Sequence, residues 1–341
     1  MTQLEKIKQT ILSNRPELSE KSVNQYTSNV NSTLKSMQLE FSLEDILKKH
    51  EEIYDFLKNK YSDITFRNKL NSFFILFGTE DRLKHKDVFD KWTLERNKIT
   101  QNYMDSHKDK ERNDSELENW IKKEEYKKVL DNEGKIINKI YKTNDFSQIN
   151  INKISNYMIA CFFEELNIRA DLENVIFVEN SNEMKDKKKN YFLIKKTKPK
   201  YTLILNEYKT SKTNGPLSID VDTKRLKKEL PRYLKMLNNH VIQKDGLKYL
   251  FWNVGLTDTI RQSQISTQFK NFFLERTKKN FTIQLNRKRL ISEDERYIKL
   301  NELKEELQNV AKESGHSVNV ATSLYFKDLE NEKTKKIKSK K

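Results

Sequence analysis

Only six glycines and four prolines interrupt 341 residues. Tight turns lean on glycine for a positive φ and on proline for a preset one. A chain this poor in both has few places to reverse sharply. Long helices joined by polar loops meet that constraint; a many-stranded sandwich or barrel, with a turn every 8–12 residues or so, does not. The expected fold class is mainly α (α+β), with any sheet small.

Hydropathy patterning agrees over residues 1 to about 100. In SEKSVNQYTSNVNSTLKSM, Val23, Tyr26, Val30, Leu34 and Met37 fall on one helical stripe. Ser42 and Asp45 in SLEDILKKH have the spacing of a capping box. DITFRNKLNSFFILFG is a very apolar helix with Gly78 placed to end it. DSHKDKERND, 105–114, is charged and without apolar period, so it is expected to be a linker between a helical domain (1–104) and a second domain (115–328).

The second domain opens with SELENWIKKEEYKKVLDNEG, an amphipathic helix expected to end near Gly134, and ISNYMIACFFEEL, apolar all round and therefore a core helix. Four short runs follow, NVIFVEN, NYFLIKK, KYTLILNEYK and GPLSIDV, rich in β-branched and aromatic residues. They predict a small antiparallel sheet with a hairpin turn around Thr213–Pro216. Helical patterns return from Thr223, Trp252 reads as core, and a lysine-rich tail occupies 329–341.

Charge narrows the partner. Lys+Arg number 66 and Asp+Glu 50, a net +16, which points to a polyanion: nucleic acid first, an acidic membrane surface second. No apolar run reaches the roughly 18–20 residues that cross a bilayer, and no secretory segment opens the chain. The single cysteine, Cys161, lies in an apolar run, which excludes an internal disulfide and suggests a reducing, intracellular compartment. No cluster has zinc-ligand spacing, so neither metal nor cofactor is expected. Without a metal, cleavage of a DNA phosphodiester would need a side-chain nucleophile, with fixed cations meeting the charge on phosphorus.

GHSVNVATSLYFK, with His316 nine residues before Tyr325, resembles the closing motif of the tyrosine recombinase (phage integrase) family. ELNIRADLENVIF resembles that family's first arginine box, LILNEYKTSKTNGPLSIDV its lysine hairpin and FTIQLNRKRLIS its second arginine box. The resemblance spans about Glu116 to Lys327 in family order, and the helical N-terminal part is similar to the family's core-binding domain. It implies that Arg169 and Arg287 bind the scissile phosphate, with Asp171 bracing the first or capping a helix. Lys209, with Lys212 as competitor, would protonate the leaving 5′ oxygen. His316 would hydrogen-bond the phosphate, and Tyr325 would attack it. Arg289 is a poorer match than Arg287 by position. Two departures stand out: Gln284 occupies the place of a usual histidine and cannot shuttle a proton, and Arg287 lies 29 residues before His316, implying an insertion around SEDERYIK.

The implied function is site-specific cleavage and rejoining of double-stranded DNA by a two-domain clamp. The enzyme would be a tetramer on DNA and a monomer or dimer when free. The Lys-, Asn- and Ile-rich composition adds an AT-rich virus or mobile element as the expected source. The alternatives are a type IB topoisomerase-like enzyme and a DNA-binding relative that has lost turnover.

Overall fold

The computed structural model describes residues 1–106, 112–164, 166–195, 200–241 and 244–313. The chain is mainly helical with one small sheet, and divides into two compact units, Met1–Glu111 and Arg112–Lys341.

The first unit holds α1 (Gln3–Asn14), α2 (Glu20–Ser36), α3 (Leu43–Lys48), α4 (His50–Lys60), α5 (Asp63–Ile75), α6 (Thr79–Lys84) and α7 (Lys86–Ser106). Ser19 caps α2 by accepting from the Ser22 amide at 3.2 Å. The stripe along α2 faces inward: Val23, Val30 and Leu34 are buried, and Tyr26 and Met37 are partly so. α5 touches α2, α4 and α7, which is why it is apolar on more than one side. Phe66, Leu70 and Phe73 of α5 are buried, as are Phe89 and Trp92 of α7, whose rings meet edge-on at 5.6 Å. Each such side chain contributes roughly 1.5–3 kcal/mol of burial.

Three local expectations for this unit change. Ser42 accepts from the Asp45 amide at 3.2 Å, so half of the capping box is present. Gly78 does not end α5, which stops at Ile75 with Leu76 as its C-cap. Gly78 instead precedes α6 as its N-cap with φ −68°; its α-carbon comes so near Asn14 that an added Cβ would sit 3.3 Å from the Asn14 Oδ1. α7 continues through Ser106, so the first two residues of the segment expected to be a linker are helical, and 107–111 lie outside the described residues.

The second unit begins with α8 (Asp114–Glu118), capped by Asn113, and α9 (Lys123–Thr143). α9 runs through Gly134 rather than ending there, since α10 (Gln148–Phe163) crosses it closely at that point. A Cβ on Gly134 would lie 3.0 Å from the Tyr157 hydroxyl. α10 also meets α12 (Lys224–His240) and α13 (Gln262–Thr277), and ten of its residues are buried, Cys161 among them. Burial on every side explains its apolar sequence.

The sheet comprises β1 (Ile176–Val178), β2 (Tyr191–Lys195), β3 (Lys200–Leu205) and β4 (Leu217–Val221) in spatial order β1-β2-β3-β4. It is mixed, not antiparallel: β1 runs parallel to β2, while β2–β3 and β3–β4 are antiparallel. Residues 179–190, with a 3-10 turn at Ser181–Glu183, return the chain to the starting end of β1, as a parallel pair requires. The expected turn near Thr213–Pro216 is part of a longer connection, 206–216, containing the short helix α11 (Ser211–Asn214). Gly215 there has φ +71°, the left-handed region that favours glycine. Phe162 joins helix to sheet, edge-on to Phe192 and to Phe251 at 5.5 Å each. Trp252 is buried. α14 (Ile283–Ser292) and α15 (Glu295–Glu313) follow, so SEDERYIK spans the end of one helix and the start of the next. Among the described residues, no helix is long and apolar enough to cross a membrane.

Candidate functional site

The C-terminus of α10 organises the site. A helix ends with carbonyls that lack intrahelical partners, and here side chains from elsewhere supply them. The Tyr126 hydroxyl donates to the Ala160 carbonyl at 2.7 Å, Asn286 Nδ2 to the Phe163 carbonyl at 2.6 Å, and Arg289 Nη2 to the Glu164 carbonyl at 3.2 Å. The Arg289 charge also suits the negative end of the helix dipole. Thr282 starts α14 by accepting from the Leu285 amide at 3.2 Å. The buried Ile283, Asn286 and Arg289 of α14 then lie against the end of α10.

That docking separates the two candidate arginines. Arg289 is 1% exposed. Its guanidinium donates to Asn286 Oδ1 and to Glu293 at 2.9 Å, and lies 4.7 Å from the Tyr126 ring centroid. It is a structural residue. Arg287 points the other way, half-buried, and its Nε donates to Asn167 Oδ1 at 3.3 Å. Gln284, one turn earlier, is exposed.

Arg169 comes from the segment after α10. Leu166, Ile168, Ala170 and Leu172 are buried, so Asn167, Arg169, Asp171 and Glu173 project outward in alternation. The two arginines are 118 positions apart (287 minus 169) yet close enough for the Arg169 charge to act on Arg287. Burial, and then the neighbouring Arg169 charge, hold Arg287 below the ordinary arginine range; Asp171 opposes both. Arginine stays protonated regardless, so the consequence is a concentration of positive charge that Asp171 offsets only in part. Neither arginine makes an ion pair among the described residues. Asp171 is not the N-cap of any described helix; it accepts from Gln262 Nε2 at 3.5 Å, while the Gln262 backbone amide donates to Glu173 at 3.1 Å, tying the segment to the start of α13.

Lys209 and Lys212 are exposed in the β3–β4 connection. The Tyr208 hydroxyl closes that loop onto the Gly215 carbonyl at 2.9 Å, and Asn190 Oδ1 holds its start by accepting from the Asn206 and Glu207 amides. No described contact joins either lysine to the arginine pair. The shortest strand connection, 196–199 between β2 and β3, lies outside the described residues, as do His316 and Tyr325. Asn167 is the site residue that motif reading missed; its place on the outward side of the Arg169 segment was the signal available.

A cavity of about 450 Å³ opens beside Asn167. Its carboxylates are already occupied, Glu164 by Arg225, Glu293 by Arg289 and Asp294 by Arg296, so it offers no free acid–base pair. No three of the described His, Cys, Asp and Glu residues gather as metal ligands. No protein-family model matches the chain, and comparison with curated proteins gives no match.

Proposed function

We propose that this chain cleaves and rejoins double-stranded DNA through a 3′-phosphotyrosyl intermediate, as a tyrosine recombinase does. The observation that carries the reading is the Arg169–Arg287 pair: two half-buried guanidiniums from distant segments, without an ion-paired carboxylate, on one outward surface. A phosphodiester relieves their mutual repulsion, and a pentavalent phosphate with its extra negative charge relieves it more. That difference is what accelerates a reaction.

In the proposed reaction the Tyr325 phenol gives up its proton to solvent as its oxygen attacks phosphorus, and the P–O5′ bond breaks. Lys209, or Lys212, protonates the leaving 5′ oxygen, and His316 hydrogen-bonds the phosphate. A 5′-hydroxyl from a partner strand reverses the step. The phosphotyrosyl ester conserves the bond energy, so no nucleotide is consumed. The enzyme works as a tetramer on DNA and a monomer or dimer when free, inside the cell that hosts the virus or mobile element encoding it. A topoisomerase-like monomer would share the chemistry.

A labelled duplex with a nick beside the cleavage point tests this, because loss of the short 5′ fragment traps the covalent adduct. Wild type should give a slow-migrating band on a denaturing gel, and Tyr325→Phe none, with duplex affinity nearly unchanged. An adduct surviving in Tyr325→Phe makes another residue the nucleophile. Gln284 favours a second reading, a binding protein without turnover; it predicts salt-sensitive duplex binding and no adduct from any substrate.

A further inference from the structure

The first unit carries a second concentration of unpaired positive charge. Arg82 of α6 and Arg96 of α7 stand over one ring, with guanidinium carbons 5.1 Å and 5.3 Å from the Phe74 centroid. They are therefore no more than the sum of those distances, 10.4 Å, apart. Arg15, the C-cap of α1, is near enough for its charge to act on Arg82. All three are half-buried, and among the described residues none makes an ion pair. Asp81, whose carboxylate lies beside Gly78, does not pair with any of them.

The frame around them is fixed. Asn14 Nδ2 donates to the Leu76 carbonyl at 2.6 Å, which pins the end of α1 to the α5–α6 turn. Arg82 Nε donates to the Gly78 carbonyl at 3.2 Å, and the guanidinium's outer nitrogens have no hydrogen-bond partner among the described residues. The Phe74 ring is held edge-on to Phe89 at 5.3 Å. Partial desolvation of guanidiniums without counter-charge is unfavourable unless a ligand completes them. The ring face returns some attraction to each cation but neutralises neither. Planar, forked guanidinium donors fit phosphate oxygens, and three such cations gathered in one cluster suit an anion whose charge repeats along a chain.

We propose that Arg15, Arg82 and Arg96 form a phosphate-binding cluster that takes the sugar-phosphate backbone of nucleic acid. This rests on the DNA reading above and adds a named contact in the other unit. It fixes position without reading bases.

The test is the salt dependence of affinity for a labelled duplex of arbitrary sequence, measured on the full chain by anisotropy. Wild type, Arg96→Gln, the double variant Arg82→Gln/Arg96→Gln, and Lys35→Gln, an exposed control on α2, are compared. The Arg96 side chain makes no described hydrogen bond (its carbonyl accepts from the Thr100 hydroxyl, which the substitution leaves in place), so its variant is expected to fold even if the double variant does not; melting curves check both. Each lost phosphate contact should lower the slope of log K against log[salt] by about 0.9, so the double variant should lose about one to two and Lys35→Gln nothing. An unchanged slope in folded Arg96→Gln and double variants overturns the cluster. So does an equal loss in Lys35→Gln, which would make the effect one of net charge. If wild type forms the Tyr325 adduct while the variants keep their slope, only this inference falls. If wild type binds phosphatidylserine vesicles through these arginines but not duplex, the ligand is a lipid headgroup and the nucleic-acid assignment is wrong.

Discussion

Arg287 and Arg289 lie two residues apart on one helix, and the structure predicts opposite consequences for removing them. Arg289→Ala deletes a buried cation that bonds the Glu164 carbonyl, Asn286 and Glu293. The carbonyl at the end of α10 and the Asn286 oxygen are left buried without donors. Breaking a buried charged network by removing one partner costs about 3–5 kcal/mol. At about 2–4 °C per kcal/mol for a domain of this size, the second unit should melt about 6–20 °C lower. Arg287→Ala loses one 3.3 Å bond to Asn167, but it also removes repulsion with Arg169. These nearly cancel, and a change within about 0.5 kcal/mol is expected. Its effect should fall on chemistry, about a 10²- to 10³-fold loss of single-turnover cleavage, the usual cost of one donor to developing charge. Calorimetry of the full chain, which can separate two unfolding transitions, and cleavage of the nicked duplex give both readouts. Equal melting losses in the two variants, or a stable and active Arg289→Ala beside a dead Arg287→Ala that no longer folds, would refute the division of roles.

Gln284→His should fold normally, because position 284 is exposed one turn before Arg287, and should speed cleavage with a pH dependence centred near the ordinary histidine value of about 6.5. No kinetic change at any pH would mean that position 284 does not face the phosphate. Lys209→Ala should lose cleavage of an ordinary duplex but recover on one whose bridging 5′ oxygen is sulfur, since that leaving group needs no proton; rescue of Lys212→Ala instead would move the role by three residues. Gly134→Ala should lower the melting temperature although alanine is favoured in helices by about 1 kcal/mol, because the new Cβ meets the buried Tyr157 hydroxyl at 3.0 Å. A rise in melting temperature would show that α9 and α10 can separate at little cost.

What sequence could and could not reveal follows from which forces are local. Helix periodicity is local, so α2, α5 and the buried α10 were legible from single stretches. Glycine is ambiguous: Gly78 and Gly134 looked like helix ends, but both mark close approaches to other elements, which no short window contains. Strand runs were legible, whereas the parallel pairing of β1 with β2 was not, because alternation specifies a face and not a direction. The lysine hairpin shows the same limit: β3 and β4 pair antiparallel as expected, but the tight turn is replaced by a connection of 206–216 holding a short helix. The arginines show the same division of local and long-range information. At about 100° per residue, positions 287 and 289 must face different ways on α14, so only one could meet solvent. Which one depends on the carbonyls at the end of α10, more than 120 residues earlier. The Asn286 contact orients α14, Arg289 fills the buried side, and Arg287 is left facing outward beside Arg169. The candidate anion site is thus a by-product of how one helix terminus is capped, and Asn286→Leu, which removes that cap without touching either arginine of the pair, should uncouple them.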